Sequence, residues 1–174
     1  MNDEKIYLLP LIIKTSIVHT VTYVIAGVSA MILLSYGETM GTEDSIFRPI
    51  TDPMVMAGPL FQPIRGVIFA LAFYPIRYSL FNNKLGWLIL WWILVALGIL
   101  STFSPAPGSI EAIIYTNLDV SFSTYVEVVM QAFAFAFILF YWIKNSDLKW
   151  LNWLMGIAFT LVMLLPTLGL LIEQ

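Results

Sequence analysis

The sequence predicts an all-α integral membrane protein, a bundle of about five transmembrane helices. Three observations carry that reading. Of the 174 residues, 60% are hydrophobic and 11% charged, where a soluble domain carries about a quarter charged. Mean hydropathy is +0.88, and no globule of this size can hide so much apolar surface from water. The apolar residues fall into five stretches, each near the ~20 residues that cross a ~30 Å hydrocarbon core.

The spans are placed at about Leu8–Leu34, Leu60–Phe81, Leu85–Phe103, Tyr125–Ile143 and Trp150–Ile172. Each must be a helix, because an open strand would leave backbone groups unpaired in lipid. The breaks between them are chemically distinct. Tyr36–Pro59 holds Gly, Pro, Asp and Glu; Asn82-Asn83-Lys84 is a tight polar turn; Lys144–Lys149 is a short polar connection. Pro105 and Pro107, inside Ser104–Ser109, cannot continue a helix. Residues 110–116 predict a short helix on the membrane interface, with Ser109 as N-cap and Glu111 in its first turn. Val28-Ser29-Ala30 resembles a signal-peptide cleavage site. The first residues are not net basic, however, and the apolar stretch is too long for a signal, so it reads as a retained first span. No internal repeat is visible, and residues 1–174 read as one domain.

Charge sets the expected orientation. With the N-terminus in the cytoplasm, one side receives Lys5, Lys14, Arg77, Lys84, Lys144 and Lys149, six of the eight basic residues. The other receives Arg48 and Arg65 with most of the carboxylates, so the positive-inside rule predicts N-in, C-out in the cell membrane. All six Trp residues fall in the predicted cytoplasmic half, where indole rings favour the headgroup region. Trp91 and Trp92 lie deeper and read as bundle packing first, or else as lining a lipid-facing groove.

Composition excludes several function classes. Cys is absent, which removes disulfides, thiolate metal sites and thiol catalysis. A single His cannot supply a pair of His ligands to a metal or haem, and no cofactor is expected. A net charge of −3 with no basic run argues against a nucleic-acid partner. No P-loop, Rossmann, His-Glu-x-x-His or nucleophile-elbow motif is present. Ser16 and Ser29 share a helix with His19 in no catalytic arrangement, and the spacing of Glu111, Asp119 and Glu127 suggests no carboxylate pair. No catalytic residue is nominated.

Two groups of polar residues in apolar surroundings need a physical reason. Gln62 and Arg65 stand at the outer end of the second span, and Glu127 and Gln131 at the outer end of the fourth. Arg65 and Glu127 lie at matched depth with opposite sign, which predicts a pairing across an outward-facing polar pocket. The competing reading makes both decorations of helix starts: Pro63 as a first-turn proline, and Thr124-x-x-Glu127 as a capping box. On the first span, Thr15, His19, Thr22 and Tyr23 form a polar stripe continued by Ala26 and Ala30, and this stripe is expected to face protein. His19 reads either as a proton-relay or ligand-binding group, or as a neutral imidazole satisfied by a nearby hydroxyl or carbonyl. Lys14, about one turn inside the cytoplasmic boundary, is expected to reach for the headgroups.

The leading expectation is a non-enzymatic, multi-pass protein that binds a small or lipid-like ligand in that pocket, as a transporter component or accessory. Its partners would be the lipid bilayer and the ligand. The alternatives are a structural subunit that self-associates as a homo-oligomer or joins a larger membrane complex, and an enzyme acting on lipid.

Overall fold

The computed structural model describes residues 5–34, 48–102, 106, 108–115 and 122–172, the side chains of 123, 124 and 172 excepted. The acidic stretch at 36–47, Pro105, Pro107 and Asp119 lie outside the described residues. All regular structure among the described residues is helical. In chain order it comprises α1 (Leu8–Leu33), α2 (Pro53–Met56), α3 (Gly58–Phe73), a 3₁₀ turn (Tyr74–Ile76) and α4 (Arg77–Phe81). There follow α5 (Gly86–Val95), continued by a π turn (Ala96–Leu100), then α6 (Ile110–Tyr115), α7 (Phe122–Lys144) and α8 (Lys149–Ile172).

Four segments are long and apolar enough to cross a membrane: Leu8–Leu33, Gly58–Phe81, Tyr125–Lys144 and Lys149–Leu171. By length and composition they suggest a membrane protein. The expected third span, Leu85–Phe103, is shorter than the sequence suggested. It is helical only over Gly86–Leu100, ~22 Å at ~1.5 Å per residue against a ~30 Å core. The helix loosens at its end, where Ser101 N–H reaches back five residues to the Ala96 carbonyl and the backbone then leaves the helical region. Counting apolar residues could not register that early stop.

Local chemistry explains the other boundaries. Asp52 caps α2 by accepting from Met54 N–H at 2.8 Å, with Pro53 in the first turn. Pro75 lacks an N–H to continue the second long helix, and there the coil tightens into the 3₁₀ turn before α4 resumes. Between α4 and α5 the chain turns through Asn83, whose Oδ1 accepts from Leu85 N–H at 3.0 Å. Gly86 is obligatory at that turn, since a Cβ there would lie 1.5 Å from the Leu80 carbonyl oxygen. The short helix expected at 110–116 is present as α6, and Ser109 Oγ accepts from Ala112 N–H at 3.1 Å as its N-cap.

α1 is the hub of the bundle, packed against α3, α7 and α8, while α5 lies on the far side of α7. Its tightest approach is to α3. A Cβ on Gly66 would meet Ser16 Cα at 2.3 Å, so only glycine lets these two backbones come together. Ala70, one turn further along, and Thr20 are fully buried near this contact, as small-residue packing requires.

Basic side chains tie the helices at one end. Lys14 Nζ donates to the Trp142 carbonyl at 2.9 Å and to Ser146 Oγ at 2.8 Å. That places a cation on the last turn of α7, where carbonyls lack helical partners and the macrodipole is negative. Arg77 donates to the Ile6 carbonyl at 3.2 Å and lies between the rings of Tyr74 and Tyr78, at 3.9 and 4.3 Å. The tryptophans divide by role. Trp150 and Trp153 are exposed, whereas Trp142 is buried with its N–H on Asn152, and Trp91 donates to the Val129 carbonyl. Trp92 is exposed, contrary to the packing expected of it.

Candidate functional site

The stripe on α1 and the polar residues of α3 form one site. Thr15, His19 and Thr22 are buried and Tyr23 is half-buried. His19 Nε2 lies 3.2 Å from Gln62 Oε1, and Arg65 Nη1 donates to that same oxygen at 3.2 Å. Arg can only donate, so the shared atom is the acceptor and the imidazole presents its N–H at Nε2. The amide nitrogen of Gln62 donates to the Gly58 carbonyl at 3.1 Å, fixing the side chain from its other end. Gln62 is itself buried, so its oxygen needs these donors to offset desolvation.

Aromatic rings surround the array. The His19 ring meets Phe69 edge-on at 5.0 Å and Phe135 at 5.8 Å, with Tyr23 at 6.1 Å. The Arg65 guanidinium sits over Tyr23 at 5.8 Å. Three elements contribute to the floor: Tyr23 from α1, Phe69 from α3 and Phe135 from α7. Ser16 Oγ adds a second α1–α3 link, donating to the Pro63 carbonyl at 3.1 Å.

The sequence-predicted residues are therefore only partly joined. Gln62, Arg65, His19 and Tyr23 come together, though the sequence suggests two separate groups. The partner of His19 is the Gln62 amide, not a hydroxyl of its own stripe. The hydroxyls of Thr20 and Thr22 turn back to their own helix, on the carbonyls of Ser16 and Val18 at 2.8 Å each. Thr15 Oγ1 is buried and has no partner among the described residues. Among the described residues Arg65 makes its polar contacts with Gln62 and Tyr23, and the pairing with Glu127 is not one of them. Glu127 and Gln131 are half-buried on α7, four residues apart, and the next position in that row is Phe135, which reaches His19.

Both helix-start readings change. α3 begins at Gly58, so Pro63 lies inside it, and α7 begins at Phe122, so Thr124 is within the helix and not at its cap. The link between His19 and Gln62 was the signal that sequence reasoning passed over: each is a desolvated polar group that demands a partner of the other's kind. Lys14, expected to reach for the headgroups, makes contacts to Trp142 and Ser146. Chemically, the site presents an exposed planar cation braced by a buried amide that the imidazole also engages. Such a fork suits a carboxylate or phosphate. Comparisons with known protein families, with characterised proteins and with solved structures found no match to the chain.

Proposed function

We propose that the chain is a multi-pass membrane protein, N-in and C-out with Gly86–Leu100 as a short fifth crossing, that binds a small or lipid-like anionic ligand at Arg65. It would act as a transporter component or accessory and perform no chemistry on the ligand. One observation carries this reading. Arg65 stands on an apolar helix with an exposed side chain, and its partners among the described residues, Gln62 and Tyr23, are both neutral. A membrane charge braced by neutral groups is costly to keep unless an anion answers it. Glu127 and Gln131 would line the α7 side of the same site. The basic residues gathered at the opposite end support the orientation.

The test is mass spectrometry of what copurifies with the protein. Wild type should retain an anionic species that Arg65→Gln loses, and Arg65→Lys should retain it weakly because the planar fork is gone. Identical retention by all three would reject the assignment. The alternative, a structural subunit that self-associates, draws support from α8, whose apolar face is almost wholly exposed.

A further inference from the structure

A cavity of about 340 Å³ opens at the end of the bundle opposite Arg65, where the start of α1 meets the ends of α4 and α7 and the start of α8. Three of its lining residues are lysines, Lys5, Lys14 and Lys144, and none is acidic. Asn82, Ser146 and Asn152 supply further polar groups, while Leu11 and Phe81 form apolar wall. The volume falls at the lower end of the ~300–1,000 Å³ typical of small-molecule sites.

The site is built from the protein's own hydrogen bonds. Ser146 Oγ accepts from Lys14 and donates to the Ile143 carbonyl at 2.9 Å, and Asn152 Nδ2 donates to the Ser146 carbonyl at 3.1 Å. The Lys14 ammonium is thereby fixed in the wall, held by the Trp142 carbonyl and the Ser146 hydroxyl. Lys5 and Lys144 are exposed at the rim and can close on what enters. Phosphate esters suit a cavity lined by three lysines and neutral donors. The apolar wall and the position at the end of the hydrophobic bundle favour an ester that carries acyl chains.

We infer that this cavity holds the phosphate headgroup of an anionic phospholipid from the leaflet at the lysine-bearing end. The inference is independent of the ligand at Arg65. The full-length protein in detergent, titrated with phosphatidylglycerol or phosphatidylcholine and followed by native mass spectrometry and thermal unfolding, tests it. Phosphatidylglycerol should bind saturably and stabilise more than phosphatidylcholine. Lys5→Gln with Lys144→Gln should weaken its binding about thirtyfold, in line with the contribution of each lysine near an anionic headgroup. Lys84→Gln with Lys149→Gln removes the same charge from the same end outside the cavity, and should change binding less than about twofold. Equal losses in the two double variants, or no lipid preference in wild type, would overturn the site. Glycerol phosphate binding as tightly as the lipid would overturn the acyl-chain assignment and leave a soluble phosphate as ligand. Wild type alone offers a further readout. A phosphatidylglycerol with a photoreactive headgroup should crosslink within 5–14, 81–82 or 143–152, and crosslinking confined to other segments would overturn the proposal.

Discussion

α1 and α8 are similarly apolar, with mean hydropathies of 1.8 and 2.2 over their most apolar windows, yet they hold opposite places in the bundle. In α1, 39% of that window is buried, and in α8 only 6%. The difference lies in the polar and small residues. α1 sends Lys14 to α7, Ser16 to the Pro63 carbonyl and His19 to Gln62, three links to other helices. The hydroxyls of α8 turn inward on their own backbone, Thr160 to Gly156 and Thr167 to Met163. Its leucines, among them Leu161, Leu164 and Leu165, stay exposed. Lipid is as apolar as leucine, so burying a leucine against protein gains little there, and helices are sorted by close packing and cross-helix hydrogen bonds.

The sharpest way to break that contrast is at Gly66. Gly66→Leu should prevent the close approach of α1 and α3, because the atom it would strike is Ser16 backbone and cannot rotate away. Overpacking of ordinary cores costs about 1–3 kcal/mol, and this substitution should meet or exceed the top of that range. A Cβ on Gly27 would meet nothing within 4 Å, so Gly27→Leu on the same hub helix should be near neutral. Unfolding in mixed micelles measures both. Equal stabilities would mean that α1 and α3 do not depend on this contact.

Lys14→Met comes next. It keeps the apolar stem and removes the donor to the Trp142 carbonyl and Ser146. Hydrogen bonds from charged groups contribute about 1.5–3 kcal/mol, so a loss of about 2 is expected. A loss below about 0.5 kcal/mol would return Lys14 to the headgroup-anchoring role that the sequence suggested.

His19 should matter less. His19→Leu removes one of two donors on the Gln62 oxygen and leaves Arg65 as the other. Cross-helix hydrogen bonds in membranes average about 0.6 kcal/mol, so the cost should be about 1 at most. His19→Gln can still donate and should cost less. If both destabilise equally, the aromatic cage of Phe69 and Phe135 around the ring, and not the hydrogen bond, is what His19 supplies.

Much of this arrangement was legible in the sequence, and the limits have physical causes. The long spans announced themselves by length and hydropathy. Ser109 named its own consequence, a cap. Pairing across helices was harder to see. Arg65 and Glu127 match in sign and depth, but depth along a helix does not say which way its face is rotated, and that rotation gives Gln62 to both His19 and Arg65. The short α5 was likewise hidden, since the apolar run does not show where the backbone stops being helical.

The smallest effect should come from α8, and it decides whether that helix is an edge or an interface. Leu161 and Leu164 are exposed, and with lipid around them they sit in similar surroundings before and after the helices associate. Leu161→Ala with Leu164→Ala should therefore cost less than about 0.5 kcal/mol, although the same pair in the core of a water-soluble protein would cost about 4–10. The measurement is again unfolding in mixed micelles, now run at several ratios of protein to detergent. A small, concentration-independent loss keeps α8 as a lipid-facing edge. A loss of several kcal/mol that fades on dilution would show that a second copy covers this face, because only a partner supplies stability that mass action can remove. That result would favour the self-associating subunit over the ligand-binding monomer, without touching the assignment of Arg65 or of the lysine-lined cavity.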